Sequence, residues 1–199
     1  VDLRLRPEGS QGPVVYSWAA AERYYETWGR LWERAAFIRA RPVAGDLALG
    51  ALIERETLAP FVYRRHVEPS IATSLAELVQ RTRTELHADP EKNLKLGPGG
   101  IREAEFFVQA LQLIWGGREP SVRVTGTLAA LRRLESRGLV TDREAQEIGD
   151  AYLLLRRTEH AIQWRSGVQT HDLPSDPVEL DTLARTVGYE GGHELGRAL

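Results

Sequence analysis

The chain has 199 residues, 42% of them hydrophobic and 27% charged, which supplies a sizeable core and argues against disorder. A formal net charge of -2 and a pI near 6.3 leave no general electrostatic footprint for nucleic acid or an anionic membrane. The lack of cysteine excludes disulfides, thiol catalysis and zinc-thiolate sites in this segment, and no apolar run approaches the roughly 18 to 20 residues of a membrane span.

Val1 to Arg6 alternates strictly, with Val1, Leu3 and Leu5 on one face and Asp2, Arg4 and Arg6 on the other, the period of a half-buried strand. Same-face neighbours on a strand lie roughly 7 Å apart, so Asp2 can sit at a metal while Arg4 and Arg6 face phosphate oxygens or an acid. The same six residues also suit an edge strand with a polar outer face. Because the chain holds no methionine and opens directly in this pattern, it is expected to be a piece of a longer, cytoplasmic protein.

Ser17 is placed to cap a helix through Ala19, Glu22, Tyr25 and Trp28, and the pattern resumes past Gly29 with Leu31, Trp32, Ala35, Ala36 and Ile38. Trp18, Trp28 and Trp32 are expected to contribute buried aromatic area. Arg34, Arg39 and Arg41 fit either a phosphate clamp or a solvated, ion-paired basic face. Pro42 to Asp46 interrupts the helical pattern and is the best boundary, dividing the chain into units 1–45 and 46–199.

Asp46 predicts the start of a helix to about Arg64 that Pro60 kinks or divides. Arg64, Arg65 and His66 read as a surface cluster. A longer helix over about 69–88 uses Ile71, Leu75, Leu78, Val79, Thr82 and Leu86 as its inner face. The loop from Asp89 to Gly100 carries the chain's only lysines, Lys92 and Lys95, compact charges that suit phosphate contact or plain solvation.

From Ile101 to Trp115 little polar surface remains, so this helix is expected at the centre of a helical bundle. Arg102, Glu105, Gln109 and Gln112 fall on one narrow face, whereas Glu103 shares the side of Phe106, Phe107, Ala110 and Ile114 and is expected to point inward. Glu103 also suits the positive end of the helix dipole, and the preceding glycines allow another segment or a ligand to approach Glu103 or Glu105.

Thr127 to Gly138 predicts a short amphipathic helix, and Thr141-Asp142-Arg143-Glu144 a capping box opening a helix to about Arg165. Glu159 lies on that helix's apolar stripe, which predicts a buried carboxylate paired with an arginine. No two histidines have the i, i+4 spacing of a helical metal site. Asp176, Pro177 and Glu179 begin a last helical segment in the order of cap, first turn and third position.

Three stretches in order, VDLRLRPEGSQGP, then Trp32-Glu33-Arg34-Ala35 with ARPVAGD, then NLKLGPGGIREAEFFVQALQL, resemble the bifunctional glutamine synthetase adenylyltransferase/adenylyl-removing enzymes. GPGGIREAEF and Gln169-Thr170-His171 with Leu173-Pro174 resemble the first, deadenylylating half of that family. The resemblance implies a mainly α chain: a helical bundle following the last strand of a truncated nucleotidyltransferase α/β domain. It implies phosphorolysis of AMP from a tyrosine of glutamine synthetase, yielding ADP, with Mg2+ or Mn2+ as metal and with glutamine synthetase and the PII signal protein as partners. Asp2 matches the third metal-binding carboxylate of the superfamily, and Arg4 and Arg6 the arginines after it. Lys95, Glu103 and Glu105 are implied positioning residues, not catalytic ones. The family's paired carboxylates, in a Gly-Ser and Asp-x-Asp motif, do not occur in this chain, so it is expected to be inactive by itself. Arg39 stands where many relatives have lysine. A non-catalytic module that docks glutamine synthetase or PII is the alternative, and a uridylyltransferase of the PII protein a further one.

Overall fold

A computed structural model describes residues 6–67, 70–85 and 89–199. Residues 1–5, and with them Asp2, Arg4 and most of the expected strand, lie outside the described residues. The architecture among the described residues is helical, as the periodicities predict. Helices α1 (Trp18–Thr27) and α2 (Leu31–Phe37) are followed by α3 (Leu47–Ile53), α4 (Ala59–Val62) and α5 (Ile71–Glu85). Next come α6 (Ile101–Trp115), α7 (Thr127–Ser136), α8 (Asp142–Ser166), α9 (Pro177–Val187) and α10 (Gly192–Ala198).

The predicted caps form. Ser17 Oγ accepts from Ala20 N, Asp46 Oδ1 from Ala48 N and Leu49 N, and Asp176 Oδ1 from Val178 N and Glu179 N. At the start of α8 the Thr141 and Glu144 side chains reciprocally bind each other's backbone N–H groups. Pro60 divides the helix after Asp46 as its missing donor requires, and the chain accommodates it with one wide π turn over Glu54–Leu58.

Helix α6 is central because it contributes to each of the three apolar cores found among the described residues. Phe106 and Leu113 join Tyr25, Ala35, Ile38, Phe61 and Leu75; Val108 joins Val122, Leu131 and Leu134; Ile101 joins Leu94, Leu155, Ile162 and Leu183. Its orientation corrects the expected one. Glu105 and Gln112, assigned to the polar face, are buried, while Phe107 is 40% exposed and Glu103 is only half-buried. The cause is that α2, α7 and α8 cover the Glu105 side and bring partners. Gln112 Nε2 donates to the carbonyls of Val122 (2.7 Å) and Val124 (2.8 Å), which removes the cost of burying its amide. Glu103 instead turns back along the helix start, where its Oε2 accepts from Gly99 N at 2.7 Å.

The tryptophans also depart from expectation. Trp28 is 71% exposed, Trp32 lies at the surface, and Trp18 is part-buried with its Nε1 donating to Thr57 Oγ1. The aromatic packing is carried by the smaller rings of Tyr25, Phe37 and Phe61, whose centroids lie 5.0 to 6.3 Å apart. Helix α2 seats its polar residues firmly. Glu33 accepts from Arg30 N and from Tyr24 Oη, and the buried Arg34 donates from Nε and Nη2 to the Val62 carbonyl at the end of α4.

Candidate functional site

The glycine loop and the His171 loop, far apart in sequence, meet at the N-terminal end of α6. Leu94 N donates to the His171 carbonyl and Leu173 N to the Lys92 carbonyl, each at 2.9 Å, a single antiparallel bridge between Asn93 and Asp172. Asn93 locks the junction. Its Nδ2 donates to Asp172 Oδ1 at 2.7 Å, and its Oδ1 accepts from Lys95 N and Leu96 N, a local turn that asparagine favours. Gly97 is needed for close approach: a Cβ there would lie 2.4 Å from the Pro90 carbonyl oxygen and 2.6 Å from that of Asn93.

The junction aligns a row of ionisable groups. Lys95 Nζ lies 3.5 Å from His171 Nε2, and His171 Nδ1 lies 2.6 Å from Glu159 Oε1. The other oxygen of Glu159 is bound by Arg156, whose Nη2 stands 3.1 Å from His160 Nε2. Glu159 is 1% exposed and cannot turn away, so it holds both the His171 ring and the Arg156 guanidinium in place. This fixes one imidazole nitrogen and leaves the other facing an ammonium. Such a pair can bind an anionic oxygen or hand on a proton.

The sequence anticipates the arginine partner of Glu159, and the structure supplies it in Arg156. It does not anticipate His171. Gly167 ends α8 at φ 68° and turns the chain back, so that a loop residue returns beside a helical residue twelve positions earlier. No helical spacing encodes that pair.

Of the other predicted residues, Glu105 is the hub of a second cluster. Arg39 Nη2 binds its Oε1 at 2.9 Å and also reaches Thr127 Oγ1 at 3.2 Å; Tyr152 Oη donates to the same Oε1 at 3.3 Å. Arg102 Nη1 lies 3.8 Å from Oε2. One carboxylate thus ties α6 to the end of α2, the start of α7 and the middle of α8. Glu103 belongs to neither cluster. Arg6 Nε donates to the Gly12 carbonyl, and the residue lines a cavity of about 200 Å3 together with Tyr25, Trp32, Glu33, Phe37 and Arg39. Burial and the neighbouring Glu33 push the Tyr25 phenol well above its ordinary range, so it stays neutral there. Among the described residues no group of three or more histidine or acidic side chains is assembled to hold a metal, and no helix is long and apolar enough to cross a membrane.

Comparison with known proteins identifies the class. The family described as GlnD PII-uridylyltransferase matches residues 70–198, which include both meeting loops and α6 to α9, and the chain belongs to that family. The family described as glutamate-ammonia ligase adenylyltransferase matches residues 1–56. Over its whole length the chain is 43% identical to the bifunctional glutamine synthetase adenylyltransferase/adenylyl-removing enzyme of Rhodopseudomonas palustris (strain TIE-1) and 45% identical to that of Stenotrophomonas maltophilia (strain K279a). Over 95% of its length it is 44% identical to that of Xanthomonas axonopodis pv. citri (strain 306). It spans 20 to 21% of the length of these relatives. The resemblance carried by the three sequence motifs is thereby borne out.

Proposed function

We propose that this chain is part of an enzyme that controls glutamine synthetase by adenylylation, and that it belongs to the half that removes AMP by phosphorolysis. The observation that carries this reading is similarity along the entire chain, at 43 to 45% identity, to enzymes whose names state both adenylylation and adenylyl removal. In the proposed reaction an oxygen of inorganic phosphate attacks the phosphorus of the tyrosine-bound AMP. The bond to the tyrosine oxygen breaks, ADP leaves, and the phenolate takes up a proton.

In this reading Asp2 is a metal ligand and catalytic residue, Arg4 and Arg6 bind phosphate, and Lys95, Glu103 and Glu105 position the helical bundle. Mg2+ or Mn2+ would neutralise charge on the two crowded phosphoryl groups. Two-metal chemistry needs more carboxylates than Asp2 alone offers, so residues 1–45 are read as the end of a nucleotidyltransferase domain and 46–199 as the helical domain that follows it. The location would be cytoplasmic. Glu105 suits the positioning role because its partner Arg39 lines the same cavity as Arg6.

The test extends the chain upstream with the residues of its parent protein and incubates it with adenylylated glutamine synthetase, Mg2+ and phosphate. Intact mass follows the synthetase. Loss of one AMP mass per subunit with release of ADP, absent in Asp2→Asn and in the 199-residue chain, is the expected result. No phosphate-dependent loss from a folded extended protein would overturn the deadenylylase reading.

A second reading is favoured by the family match over 70–198, whose description names the PII protein: a helical module that docks glutamine synthetase or PII without taking part in chemistry. Binding of either partner that survives Asp2→Asn supports that role beside the catalytic one. Activity on PII and none on the synthetase would point to a uridylyltransferase.

A further inference from the structure

Although the chain carries a net negative charge, one cleft concentrates the opposite sign. Where the end of α4 meets the turn after α6, Arg55, Arg64, Arg65, His66, Arg118 and Arg123 line an open space of about 630 Å3, and among the described residues no acidic side chain lines it. Arg55 is paired with Glu56, and the nearby Glu119 is engaged by Arg137. Among the described residues Arg64, Arg65, Arg118 and Arg123 have no carboxylate within salt-bridge distance.

The cleft is built, not merely decorated. Arg123 is held twice, by its Nε donating to the Gly116 carbonyl at 2.6 Å and by its guanidinium lying over the Tyr63 ring at 5.1 Å, which leaves its terminal nitrogens unbonded. Gly117 lets the two walls meet. A Cβ there would sit 2.2 Å from the Arg64 carbonyl oxygen and 2.8 Å from Arg65 N, so only glycine brings Arg118 beside the Arg64–Arg65 pair. Like charges brought together repel one another, and an anion entering the cleft relieves that repulsion while satisfying guanidinium forks shaped for phosphate.

We propose that this cleft is a binding site for a small anion carrying two or more phosphoryl groups. A single phosphate engages one or two forks, whereas the arginines here surround a volume within the range of small-molecule pockets. Ala59, Pro60 and Tyr63 give the cleft an apolar floor against which the rest of such a molecule can lie. The inference is independent of the deadenylylase reading, since it rests on residues with no part in that proposal.

Calorimetric titration of the 199-residue chain at physiological salt, with tripolyphosphate and inorganic phosphate as probes, tests it. The expected result is saturable one-to-one binding of tripolyphosphate, tighter than phosphate by about tenfold or more, the step expected from one additional well-made charged contact. Arg64→Gln with Arg118→Gln should weaken it by about a hundredfold, about tenfold per guanidinium, and Arg118→Gln alone, at an exposed turn where folding is safe, by about tenfold. Arg132→Gln with Arg133→Gln, exposed on α7 and outside the cleft, should leave it within about twofold. No saturable binding, or equal weakening by the α7 pair, would overturn the site. A polyglutamate peptide binding as tightly as tripolyphosphate would overturn the phosphoryl assignment in favour of an acidic protein segment.

Discussion

Glu105 and Glu159 are both carboxylates sealed among helices, 6% and 1% exposed, and both bind arginine, yet they are built for different work. Glu105 gathers two guanidiniums and a phenol, from the turn after α2, from α6 and from α8. It is a fastener. Glu159 holds a guanidinium on one oxygen and an imidazole on the other, and that imidazole faces Lys95 across the junction of two loops. Burial of an acid therefore does not by itself define its role; its partners and the segments they come from do.

The sharpest way to break this comparison is to remove each acid's grip in turn. Glu159→Ala strips two partners at once and should cost about 3 kcal/mol in urea unfolding, the lower end for a broken buried pair because Arg156 and His171 both retain access to water. It should also release the loop junction. Amide exchange at Leu94 and Leu173 should accelerate strongly, while α7 stays protected. If those two amides are unmoved, Glu159 is only another fastener.

Arg39→Ala should cost less, about 2 kcal/mol, since Glu105 keeps Arg102 and Tyr152 and Arg39 is partly solvated. Its loss should leave exchange at Leu94 and Leu173 unchanged. Arg39→Lys should restore only part of the stability, because one ammonium cannot reproduce the planar contact to both Glu105 and Thr127.

A cap away from both clusters calibrates the scale: Thr141→Ala should lower stability by about 1 kcal/mol. Its partner Glu144 adds a pH signature. Hydrogen bonds from the Thr141 N–H and hydroxyl lower the Glu144 carboxyl below its ordinary value, so its contribution is present above the unfolded carboxylate range and fades as pH falls through the lowered value. Glu144→Gln should flatten that acid limb slightly.

Tyr63 supplies the smallest effect near neutrality and the opposite sign. Burial pushes its phenol up to about 12, with Arg123 opposing the shift, so its contribution is complete below the ordinary tyrosine value near 10 and is lost as pH rises through about 12. Tyr63→Phe should remove that alkaline loss in pH-dependent unfolding and leave stability at pH 7 little changed.

What the chain determined by itself was local. Ser17, Asp46, Thr141 and Asp176 cap helices where side chains a few residues away can reach free N–H groups. The apolar run from Ile101 placed α6 at the centre, and the glycines before it announced a tight loop. Pro60 announced a break without disclosing that a π turn would absorb it.

Only the tertiary structure decided which side of α6 was sealed. A helix nearly apolar all round has no decisive stripe, so the turn after α2, helix α8 and the segment between α6 and α7 settled the matter by bringing Arg39, Tyr152 and two carbonyls to Glu105 and Gln112. The exposed Trp28 shows the same limit, because ring size states how much area a residue can bury and not whether a neighbour arrives to cover it. Likewise Glu159 and His171 meet because a glycine reverses the chain after α8, and the arginines of the basic cleft converge because a glycine lets two turns touch. Those contacts join residues on separate elements, and no periodicity within either element specifies them.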